Sequence, residues 1–114
     1  MSQAALDACA QSDFWKADKQ LDLVYQSLIQ KMKGDSAATE SLENSERAWL
    51  VFRDAQMKAL HPHPEKEGSV SPMCRSSQMA ELTLQRVKML KHMLNTEEGN
   101  VCAYLPQWLY LGRL

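Results

Sequence analysis

The densest run of chemically capable side chains lies between residues 61 and 67, where His61, His63, Glu65 and Glu67 bring two imidazoles and two carboxylates together. Imidazole nitrogens and carboxylate oxygens suit a divalent cation, but such sites need several ligands fixed on ordered elements. Here Pro62 and Pro64 interleave the four groups and no further fixed ligand is evident. The run therefore reads as a solvated loop, with no metal and no cofactor expected. Hydrolytic chemistry has less to build on. GxSxG, HExxH, Cys-His signatures and Gly-rich phosphate loops are all missing, and the carboxylates are scattered over solvent faces. No catalytic residue is expected.

A second constellation is Arg47, Trp49, Arg53 and Asp54, which fall within two turns of one helical pattern. Arg86 belongs with it, because Leu82 and Leu90 on its own segment face inward. A guanidinium that close to an apolar seam needs an acceptor, and Asp18 and Asp54 are the candidates. Two readings stay open. One is a buried polar pair that fixes helix register. The other is an exposed Trp49–Arg53 patch that anchors a partner, as interface hot spots often do. Met73, Met79, Met89 and Met93 fill core gaps or line an adaptable groove.

Apolar positions from Leu6 through Cys9, Ala10, Phe14, Ala17, Leu21, Val24, Tyr25 and Leu28 to Met32 recur in steps of three and four. This predicts a first long helix, with Ser2 as N-cap and Lys31, Lys33 and Gly34 at its end. Asp35 or Ser36 caps a second helix, whose inward side reads Leu42, Ser45, Ala48, Trp49, Phe52, Ala55 and Ala59. That helix must stop near His61, since Pro62 and Pro64 cannot continue it. Residues 62–70 form the one long loop. Ser71 followed by Pro72 predicts the start of a third helix, running through Met79, Leu82, Val87 and Leu90 to about Asn95, with Gly99 beyond. Helices of similar length and short turns favour an all-α, antiparallel three-helix, up-down-up bundle over residues 1–100. The remainder, residues 101–114 (VCAYLPQWLYLGRL), is a hydrophobic C-terminal extension rich in aromatic side chains, among them Tyr104, Trp108 and Tyr110. It either folds back over the bundle or offers a binding surface.

With 114 residues, the chain is one domain and can remove roughly two-thirds of its unfolded surface from water. Its 45% hydrophobic and 24% charged residues exclude disordered and low-complexity classes. A net charge of −1 provides no field to hold a polyanion, so nucleic acid is not an expected partner. Residues 35–67 alone sum to −3, a weakly acidic flank able to steer a basic protein. No membrane span or signal peptide is visible, so the expected location is cytoplasmic, or periplasmic or secreted if a signal preceded Met1.

CAQSDFWKADKQLDLVYQSL at Cys9–Leu28, then SERAWLVFRDAQM, GSVSPM, ELTLQRVKMLKHML and EEGN, resemble in order and spacing the LprI-type lysozyme inhibitor family. The resemblance spans about residues 3–100. It implies a helical bundle without catalysis, structural roles for Tyr25, Asp54 and Arg86, and, where members have an assigned role, binding to lysozyme. Cysteines of the family pattern are replaced here by Met57, Gln78 and Thr96. Their joint loss points to a reducing compartment or to a bundle held by packing alone.

Three cysteines remain, Cys9, Cys74 and Cys102, which allow at most one intrachain disulfide. In an up-down-up bundle the starts of the first and third helices share an end, making Cys9–Cys74 the easiest pairing. Three reduced thiols are the alternative. The reading reached from the residues and the resemblance together is a non-enzymatic protein-binding domain that blocks the cleft of a lysozyme or related muramidase. Glu65, Glu67 and Ser69 of the loop are the first contact candidates, Trp49 and Arg53 the second. The alternative is an intracellular adaptor or immunity-like protein that binds its protein partner through Tyr104 and Trp108. Oligomeric state is left open.

Overall fold

The computed structural model describes residues 1–95. The extension expected at 101–114, with Tyr104, Trp108 and Cys102, lies outside the described residues. Within them the chain is all-helical, without strands: α1 is Gln3–Lys31, α2 is Ser36–Leu60 and α3 is Ser71–Leu94, with a single 3-10 turn at Pro64–Lys66.

Local chemistry sets the boundaries. The Ser2 hydroxyl accepts the Ala5 N–H at 3.1 Å, and the Asp35 carboxylate accepts the Ala38 N–H at 3.0 Å, so both expected N-caps form. Gly34 takes φ +95, a left-handed conformation that disfavours any side chain and helps reverse the chain within the four residues between α1 and α2. At the other turn α2 ends at Leu60, just before Pro62, as proline geometry requires. The start of α3 differs from expectation by one position. Val70 is the capping residue, and Ser71, already helical and buried, turns its hydroxyl to the carboxylate of Glu67.

Packing places α1 directly against α3. The two run parallel, as the first and third helices of an up-down-up bundle must. At their shared end Lys31 Nζ donates to the Leu94 carbonyl at 2.9 Å. Ala10 and Ala17 on α1 and Ala80 and Thr83 on α3 are all buried, and such small residues let two backbones approach closely. Leu21, Val24 and Leu28 then meet Val87, Leu90 and the α2 residue Leu42 in one cluster, with Tyr25, Trp49 and Met93 packed on it. Full burial of a leucine such as Leu28 or Leu90 contributes about 1.5–3 kcal/mol.

The orientation of α2 departs from its apolar pattern. Of the expected inward side, Leu42 is buried and Trp49 half-buried, while Ser45, Ala48, Phe52, Ala55 and Ala59 are exposed. Glu46, Arg53, Gln56 and Met57 are half-buried in their place. The helix is turned so that its charged side chains meet those of α1 and α3, as described next.

Of the two alternatives for Cys9 and Cys74, a disulfide or reduced thiols, the structure carries free thiols at both. Ala10 rather than Cys9 belongs to the buried stripe of α1, so Cys9 is exposed while Cys74 is half-buried on α3.

Candidate functional site

Two polar constellations stand out, and they have different characters. The first joins α2 to the α1–α3 pair. Arg86, 5% exposed, donates from Nε to Glu46 Oε1 at 2.9 Å, from Nη2 to Ser45 Oγ at 3.0 Å and from Nη1 to Met89 Sδ at 3.4 Å. Its expected acceptors, Asp18 and Asp54, are not the ones used. The antiparallel register sets Arg86 level with Ser45 and Glu46, whereas Asp18 lies two turns further along, opposite Arg53.

Arg53 sits between two aromatic rings, 5.5 Å from the centroid of Phe14 and 5.0 Å from that of Trp49. One Nη1 donates to Thr83 Oγ1 at 3.1 Å and faces Asp18 Oδ1 at 3.6 Å, while the buried Nε has no hydrogen-bond partner. The Arg86 guanidinium lies 5.9 Å from the same Trp49 ring. Trp49 and Arg53, one turn apart on α2, are both half-buried, and Arg53 carries the contact across to Phe14 of α1. Tyr25 borders this region half-buried, and its hydroxyl pKa is raised, first by burial and then by the carboxylates of Glu43 and Glu46.

The second constellation is the loop between α2 and α3. His61 Nδ1 lies 2.9 Å from both carboxylate oxygens of Glu67, and its Nε2 lies 2.5 Å from Gln78 Oε1 on α3. Glu67 also accepts from the Ser71 hydroxyl and faces Arg75 Nη1 at 3.8 Å. These contacts perturb both groups. His61 is raised above its ordinary 6.5, first by the Gln78 oxygen and then by Glu67, with burial and Arg75 opposing. Glu67 is lowered from 4.5, first by the Ser71 hydroxyl and then by His61. An open depression beside this cluster is lined by Asp54, Met57, Lys58, His61, Arg75 and Met79, which is where Asp54 is found.

The three loop residues expected to project thus separate. Glu67 is turned inward, holding the loop together. Glu65 and Ser69 are exposed, with Glu65 in the 3-10 turn and 3.7 Å from the exposed His63 ring. His61 and Gln78 were not singled out as a pair from the sequence. The available signal was a histidine and a glutamate flanking two prolines, with a glutamine two turns into the next helix. Met57 and Gln78 both sit beside His61. Among the described residues no three His, Cys, Asp or Glu groups converge as metal ligands, and no helix is long and apolar enough to cross a membrane.

Comparison with known proteins adds an independent line. A family model described as "Lysozyme inhibitor LprI" matches residues 1–90. An uncharacterized protein of Rhizobium meliloti (strain 1021) is 33% identical over 110 residues, covering 87% of this chain and 78% of that protein. No solved structure matches.

Proposed function

Starting from the fact that the chain belongs to the LprI lysozyme inhibitor family, which suggests a lysozyme-inhibitor role, we propose that it works by occlusion. The loop between α2 and α3 enters the sugar-binding cleft of a lysozyme or related muramidase and leaves no room for the glycan. The observation that carries this reading is the contrast within the loop. Glu65 is held outward on a 3-10 turn while Glu67, three residues from the turn's start, braces the base through His61 and Ser71.

Such an arrangement favours binding for a physical reason. A projecting side chain whose supporting backbone is already ordered loses less conformational freedom on association than one on an unbraced loop. Glycan-cleaving clefts of this kind also contain a general acid that is protonated before the reaction. A carboxylate such as Glu65 is a strong acceptor for that proton-bearing group. The net −3 of residues 35–67 resides in residues 35–47, at the end of α2 away from the loop, and attracts a basic enzyme to the bundle as a whole.

The test is a turbidity assay of peptidoglycan lysis by c-type, g-type and bacterial muramidases, with and without stoichiometric protein, paired with size-exclusion binding. Inhibition of one class with co-elution is the expected result. Full lysis by all three in the presence of excess protein contradicts the reading.

A further inference from the structure

We propose that His61 is a pH-sensitive clasp: its protonated ring ties the end of α2 to the loop and to α3, and so sets the shape in which residues 62–70 meet a partner. The clause about the partner rests on the occlusion reading above; the clasp itself does not.

Geometry carries the argument. Both ring nitrogens of His61 face acceptor oxygens, the Glu67 carboxylate at 2.9 Å and Gln78 Oε1 at 2.5 Å. A neutral imidazole has one N–H and one lone pair, so it donates to only one of them. An imidazolium donates to both. On losing its proton the ring sets a lone pair against Gln78 Oε1, and the amide must turn round or the contact must open. At the same step Glu67 loses the cation that faces both of its oxygens.

The loop has little else to hold it. No residue between Pro62 and Val70 is buried. Its backbone bonds are local: Lys66 N–H to the His63 carbonyl at 3.0 Å, Glu67 N–H to Pro64 at 3.1 Å and Ser71 N–H to Gly68 at 3.1 Å. Links from the loop to the helices run through the His61–Glu67–Ser71 set and the looser Arg75–Glu67 contact at 3.8 Å.

The charged groups around His61 come from every element that packs there. Glu67 lies on the loop and Arg75 on α3, while Asp54 and Lys58 line the adjoining depression from α2. Glu67 favours the proton and Arg75 opposes it, and of the charged groups Glu67 alone is in direct contact. The sign follows. Because His61 titrates above 6.5 in the folded protein, its share of the clasp is complete below 6.5 and is lost as pH rises through the raised value. Because Glu67 titrates below 4.5, its share is present above 4.5 and is lost as pH falls through the lowered value. The clasp is closed in the mildly acidic interval between.

The experiment follows the His61 ring resonances of the full chain by NMR from pH 4 to pH 9, together with amide-exchange protection of Lys66, Glu67 and Ser71. The expected result is a His61 midpoint above 6.5, with loop protection, corrected for the pH dependence of exchange itself, falling at that midpoint. In Glu67→Gln the midpoint moves down and the loop protection no longer follows it. A second variant, Gln78→Leu, removes the Nε2 acceptor without touching the loop and also lowers the midpoint. A His61 midpoint at or below 6.5, or loop protection unchanged through the titration, overturns the clasp. Binding to a c-type lysozyme, measured calorimetrically on both sides of the midpoint, reads the second clause: tighter binding on the acid side supports it, and equal binding overturns it. If no muramidase is bound at any pH, the occlusion reading falls, while the clasp is still decided by the resonances of the free protein.

Discussion

Between α1 and α3 the contact is made by alanines, a threonine and aliphatic side chains, whereas α2 is joined to that pair through Trp49, two arginines and their acceptors. In the first region Ala10, Ala17, Ala80 and Thr83 permit close approach and Leu28 and Leu90 fill the seam. In the second, Leu42 is the one buried residue of a 25-residue helix. The difference shows how one small chain divides its tasks. Non-directional burial supplies most of the driving force in the parallel pair. Directional charge-assisted bonds then decide how α2 is rotated, and therefore where the loop that follows it points.

Substitutions break this comparison in a definite order of size. Arg86→Ala leaves Glu46 and the surrounding cavity uncompensated and is expected to destabilise by about 3–5 kcal/mol, read from the denaturant midpoint. Arg86→Met, which fills the volume without a charge, is expected to cost far less, because burying an ion pair gains little over an apolar replacement. Overpacking the tight pair comes next. Ala17→Leu or Ala80→Leu forces α1 and α3 apart at a cost of about 1–3 kcal/mol. Phe14→Leu keeps apolar volume but removes one face of the Arg53 stack, a loss of about 0.5–1 kcal/mol. The smallest effect is the most discriminating. Phe52→Ser is expected to change stability by no more than about 0.5 kcal/mol, since the ring is 51% exposed. If Phe52 faced the core as the apolar pattern of α2 suggests, the same change would cost about 3–5 kcal/mol.

That contrast also marks where the sequence is readable. Ser2, Gly34, Asp35 and the prolines at 62 and 64 act within a few residues of themselves, so the helix boundaries can be read directly. The apolar stripe of α1 and much of that of α3 follow from spacing alone, because those helices bury an apolar seam against each other. For α2 the spacing misleads. Its true inward positions include Glu46 and Arg53, polar residues whose place is set by Arg86, Thr83 and Asp18 some 30 to 40 positions away or on another helix. Nothing in a local pattern carries those partners. The loop is similar. Glu65, Glu67 and Ser69 form one acidic, polar projection in the sequence, but folding back of the chain brings Glu67 against His61 and Ser71 and leaves Glu65 and Ser69 outside. Cys9, read as part of the apolar stripe of α1, lies one residue off it and is exposed.

In the proposed occlusion the outward carboxylate of Glu65 makes the contact with the enzyme. Its most direct test is the inhibition constant of Glu65→Ala against a muramidase that the native chain inhibits, with helicity checked by circular dichroism. Because Glu65 is exposed and makes no contact with the core, folding is expected to be unchanged. The expected inhibition constant is weaker by about 30-fold, the roughly 2 kcal/mol of an interface hot spot. An inhibition constant equal to that of the native chain contradicts it and moves the contact away from the loop.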